Sequence, residues 1–157
     1  MIDTNWYGVA FLLALGLSVP LFRKVSHARA LKKLGMEGVT VSPHFWGLSG
    51  LRLRRAGWEG DVRFETGGMK GHLLLKANLR RALPSVSFHE KGKLDEARLG
   101  PELRKLVMQL DQLGGRVWAV GGESVEIAGP LLVRPAELRK FLEACDAVVD
   151  GIASVEA

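Results

Sequence analysis

The sequence predicts an α+β protein that opens with an N-terminal transmembrane helix and continues as an antiparallel β-meander with a helix-hairpin-helix C-terminal part. Three observations predict it. Residues 6 to 22, WYGVAFLLALGLSVPLF, carry no charge, and the stretch that follows, RKVSHARALKK, is strongly basic. Residues 39 to 88 alternate apolar and polar side chains, the period of half-buried strands. Beyond residue 101 the apolar positions twice return to helical spacing, with a glycine-linked hairpin between.

The first element rests on length and flanks. About 17 uncharged residues at roughly 1.5 Å each reach about 25 Å, a little short of a hydrocarbon core of about 30 Å. Thr4 and Asn5 extend the run without charge, and Arg23 and Lys24 are placed to snorkel. Trp6 and Tyr7 suit one interface, and Pro20 falls near the other end, where a kink costs least. The expected membrane-contacting set is therefore Trp6, Tyr7, Phe11, Leu12, Leu13, Leu15, Leu17 and Phe22 in the run, with Arg23, Lys24, Arg29, Lys32 and Lys33 in the basic collar. Only Asp3 precedes the run, so the excess of cations after it predicts a single-pass protein with its amino terminus outside and its domain cytoplasmic. Two other readings compete with it. A cleaved signal peptide needs a basic residue ahead of the run, which is missing, although Ala28-Arg29-Ala30 offers a small-x-small site. A helix buried in a protein core is the other.

Residues 1 to 34 read as membrane anchor and basic juxtamembrane helix, leaving 35 to 157 as one cytoplasmic α+β domain of common size. The formal charge of +5 is uneven. Residues 23 to 56 hold eight Lys or Arg against one acid, Glu37, whereas residues 101 to 157 hold six against nine acids. Basic residues concentrated beside the anchor suit a bilayer with anionic headgroups and argue against nucleic acid, which calls for a basic patch on the folded domain.

Along the chain, Lys24 continues into a helix with Ala28, Leu31 and Leu34 on a loose apolar side, and Gly35 supplies a stop. Val39 and Val41, Leu51 and Leu53, Val62 and Phe64, and Val86 and Phe88 mark alternating strands, with residues 72 to 79 a more continuously apolar one. Gly57, Gly60, Gly67-Gly68 and Pro84 punctuate them, giving a meander of four or five strands. Pro101 begins a helix carrying Leu103, Leu106, Val107, Leu110 and Leu113, which Gly114-Gly115 ends. Residues 116 to 120 and 123 to 127 form a hairpin through Gly121-Gly122. After Pro135, one apolar stripe runs Leu138, Phe141, Leu142, Cys145, Val148, Val149 and Ile152.

Candidate chemistry is sparse. Cys145 is the only cysteine, so there is no intrachain disulfide, and its place on the stripe predicts an inert buried thiol. His27, His44, His72 and His89 lack ligand spacing, and no metal or cofactor is expected. The glycine pairs lack the Lys-Ser or Lys-Thr of a phosphate-binding loop. Glu123 and Glu126 fall on opposite sides of a strand, and residues 90 to 100 read as a solvated loop. Trp46, beside Phe45, is a candidate interface residue, but Trp46, Trp58 and Trp118 read first as core. Anchor plus domain without catalytic spacing predicts a single-span, non-catalytic accessory subunit, with a protein partner in a membrane complex. The alternative is a membrane-tethered enzyme or small-ligand-binding domain whose site is assembled only in the fold.

Overall fold

The computed structural model describes residues 5–43, 48–66, 71–81 and 99–154. Their element order is α1 (Asn5–Lys32), β1 (Val39–Ser42), β2 (Gly50–Arg54), β3 (Trp58–Glu65), β4 (His72–Leu79), α2 (Pro101–Gln112), β5 (Arg116–Gly121), β6 (Ser124–Pro130) and α3 (Pro135–Ala153). The six strands form one antiparallel sheet in the order β1-β2-β3-β4-β6-β5. Four strands therefore follow one another as a meander. The hairpin then joins through its second strand, because the segment containing α2 carries the chain past β4 to the far edge before β6 returns beside it. The expected strand at Val86 and Phe88, like Phe45 and Trp46, lies outside the described residues.

Alternation decides the two faces of the sheet. Leu51, Leu53, Trp58, Val62, Phe64, Leu73, Leu75, Ala77, Val125 and Ile127 are buried, and α3 brings Leu138, Phe141, Leu142, Cys145, Val148, Val149 and Ile152 into the same core. Along the other face the register sets Arg52 opposite Asp61, Asp61 opposite Lys76 and Lys76 opposite Glu126, so charge alternates along a row that crosses four strands. Arg52 meets Asp61 at 3.0 Å, and Lys76 meets Glu126 at 3.1 Å. Such exposed pairs add little energy singly, but opposite charges face each other at every step and so favour this register over a slipped one. Trp118 shows the same logic against expectation. It neighbours buried Val117 beside a register shift, points to the open face and is 57% exposed, whereas Trp58 is fully buried.

The membrane-spanning helix is overturned, and with it single-pass localisation. Among the described residues no helix is long and apolar enough to cross a membrane. The apolar run is shorter than the roughly 20 residues a span requires, and glycine, serine and proline at Gly8, Gly16, Ser18 and Pro20 dilute it. The helix also does not end at the basic collar. It runs on through Pro20 to Lys32, and its last turns fold onto the sheet, burying His27, Leu31 and then Leu34 at the i, i+4 and i+7 positions of one face. The collar is thus partly core, its cations Arg29, Lys32 and Lys33 lying on the exposed side.

The turn after α1 fixes where the sheet begins. Gly38 has φ +67, and a Cβ there would lie 2.5 Å from the Arg54 carbonyl oxygen. A side chain would meet both the left-handed backbone and that carbonyl, and so disturb the close approach in which the Arg54 N–H donates to the Gly38 carbonyl at 2.8 Å.

Candidate functional site

Among the described residues two places stand out as able to meet another molecule: a charged cleft beside the α1–β1 turn, and the exposed part of α1. The cleft, about 720 Å³, is lined by Gly35, Met36, Glu37, Gly38, Arg54, Arg55, Ala56, Arg139 and Glu143. Its arginines are occupied by the fold. Arg55 donates through Nε and Nη2 to one oxygen of Asp146, and through Nη1 to the carbonyls of Glu37 (2.8 Å) and Arg54 (3.2 Å). Arg139 donates to the Leu34 carbonyl, and Arg54 lies 3.8 Å from Glu59. Glu37 and Glu143 balance Arg54 and Arg139, so the cleft favours neither an anion nor a cation. Its guanidiniums tie the turn after α1 to α3.

Burial raises the Asp146 carboxyl above its ordinary range, and the hydrogen bond and charge of Arg55 pull it partly back. The second carboxylate oxygen of Asp146 is buried without a hydrogen-bond partner among the described residues. Cys145, next to it, is buried, and its thiol is pushed far upward by burial and by the neighbouring carboxylate. It is a packing residue with no thiolate to offer at neutral pH. His72 lies 2.9 Å from Glu65 on the open face of the sheet. His44 and His89 lie outside the described residues. Among the described residues no group of three His, Cys, Asp or Glu could hold a metal ion.

α1 is different in kind. Tyr7, Val9, Phe11, Leu12, Leu13, Leu21, Phe22 and Val25 are all exposed, Tyr7, Leu12 and Phe22 at 68%, 69% and 74%. Those values exclude the reading of this stretch as a helix in the chain's own core. Successive helical residues point about 100° apart, so Phe11, Leu12 and Leu13 face three directions and the segment has no polar side. Of the remaining expected contact residues, Lys24 is half-buried, and the side chains of Trp6, Leu15, Leu17 and Arg23 lie outside the described ones. The structure therefore brings together the exposed apolar residues on one rod and separates them from the basic residues, which flank the seam on the sheet.

No family model, curated protein or solved structure matches this chain. Its function is therefore read from its own geometry.

Proposed function

We propose that the chain is a protein-interaction module, in which the sheet and α3 form the folded body and the apolar part of α1 is the element a partner protein buries. The observation that carries this reading is the set of exposed apolar side chains at Tyr7, Val9, Phe11, Leu12 and Leu13, and again at Leu21 and Phe22, on one continuous helix. Exposed apolar surface such as that of Tyr7 to Leu13 is characteristic of interaction sites. Because Phe11, Leu12 and Leu13 face three ways, the partner surrounds the rod with two or more apolar elements rather than abutting it with a flat face. The membrane-anchored accessory subunit expected from the sequence is not retained, since no described helix is long and apolar enough to cross a membrane.

Gentle native lysis followed by sedimentation checks this. The wild-type chain is expected in a particle well above its monomer mass, together with protein. Phe11→Gln, Leu12→Gln and Leu13→Gln in combination keep helix propensity and remove the anchors. They should weaken association at least about a hundredfold, because buried interface anchors are worth about 2 kcal/mol or more each. Wild type sedimenting alone, the triple variant staying in the particle, or association only with protein-free vesicles would each sink the reading.

A further inference from the structure

α1 is held to the body by a narrow seam in which His27, Leu31 and Leu34 are the buried residues. The central feature of that seam is chemically odd. His27 is 7% exposed, its ring stands edge-on to Phe64 with centroids 4.7 Å apart, and neither ring nitrogen has a hydrogen-bond partner among the described residues. A phenylalanine or leucine would fill an apolar seam without leaving a buried N–H unpaired, which is unfavourable in an apolar setting. Histidine is also the side chain whose ordinary pKa places a charge change near neutrality.

Among the described residues, the charged groups around the ring offer an imidazolium no partner. β3 presents Phe64 to the ring, while its charged residues Glu59, Asp61, Arg63 and Glu65 alternate onto the opposite face. β1 carries no titratable side chain. The charged residues of β2, Arg52 and Arg54, also lie on its exposed side. On α1 itself Lys24 is one turn away, and on α3 Arg139 reaches the Leu34 carbonyl, so these two are cationic. The four α3 acids are placed elsewhere: Asp146 on Arg55, Asp150 accepting from Trp58, Glu137 beside Arg134 and Glu143 exposed at the cleft. Burial accordingly holds the His27 imidazole below its ordinary pKa.

We infer that His27 is a proton-operated latch: neutral, it lets α1 lie on the sheet, and protonated, it opens the seam and frees α1 to swing relative to the body. The sign follows from linkage. The closed seam binds the proton more weakly than the open one, so closure is fully favoured above about pH 6.5, the ordinary histidine value, and is lost as pH falls toward the depressed value. Because α1 is also the proposed docking helix, the latch would set its angle to the body. That consequence rests on the proposed function, but the opening itself does not.

Hydrogen exchange on the full chain, corrected for intrinsic rates, separates the two. Between about pH 7.5 and pH 5, amides of residues 25 to 34 should lose protection at least about tenfold, while β3, β4 and β6 keep theirs. His27→Phe, which retains an edge-on ring, should abolish the difference, and His27→Leu serves if the phenylalanine variant does not fold. Unchanged protection of 25 to 34 in wild type, loss spread uniformly over the sheet, or the same response in both folded variants overturns the latch. Since no partner is present, failure of the docking reading leaves this result untouched.

Discussion

Phe141→Ala is expected to lower the unfolding free energy by about 4 kcal/mol, read from the shift of the urea midpoint at unchanged slope. Phe141 is 1% exposed, and its ring occupies a slot made by two glycines. A Cβ on Gly129 of β6 would lie 2.2 Å from its Cζ, and one on Gly115, before β5, would lie 2.8 Å from its Cε2. Leu110 of α2 crowds the same Gly115 position at 2.5 Å. One aromatic ring thus joins α3, the β5–β6 hairpin and the end of α2. Backbone that close cannot collapse into the space left by alanine, so the cavity term adds to the lost transfer energy. A loss below about 1.5 kcal/mol would show that the slot closes and that this contact does not organise the core.

Arg55→Ala is expected to cost about 3 kcal/mol, for a different reason. It removes the partner of Asp146, whose side chain is 18% exposed, and releases the carbonyl of Glu37 as well. Trp58, lying 6.0 Å from the guanidinium, keeps its 2.8 Å donation to Asp150, so the deficit reports the Arg55 contacts. Combining Arg55→Ala with Asp146→Ala should cost clearly less than the two singles added together, because the double variant strands no buried charge. pH gives a second signature. The folded-state pKa of Asp146 lies above its unfolded value even with Arg55 present. A raised carboxyl contributes stability that is complete below the unfolded pKa, near 3.9, and is lost as pH rises through the folded pKa. Removing Arg55 raises that pKa further, so the deficit should grow from acid toward neutral pH. A deficit independent of pH, or full additivity, would mean that the pair is not coupled in this way.

What could be read from the chain was what repeats locally. Leu51 and Leu53, Val62 and Phe64, and the stripe from Leu138 to Ile152 announce their buried sides through periods of two and 3.6, and each is buried. Trp118 departs from expectation because its size suggests core, while its neighbour in β5, Val117, takes the inward position. The pairs that tie α3 to the sheet, Arg55 with Asp146 and Trp58 with Asp150, are 91 and 92 residues apart in sequence. No local pattern could have joined them. The largest error was at α1. The uncharged residues 6 to 22 and the helix continuing beyond Lys24 are both legible, but the closing of its last turns over Phe64 depends on what the sheet presents. Ala28, Leu31 and Leu34 hinted at an apolar side, and His27, the residue that makes the seam unusual, was passed over as one of four scattered histidines.

The most direct measurement of whether α1 is a protein-docking helix is photocross-linking in the living cell, with benzoyl-phenylalanine replacing Leu12 and, as control, Met108, an exposed residue of α2. The docking account predicts a discrete adduct between the Leu12 position and protein, missing from the Met108 position and lost when Phe11 and Leu13 are changed to glutamine. Adducts confined to lipid, or identical patterns at the two positions, would contradict it.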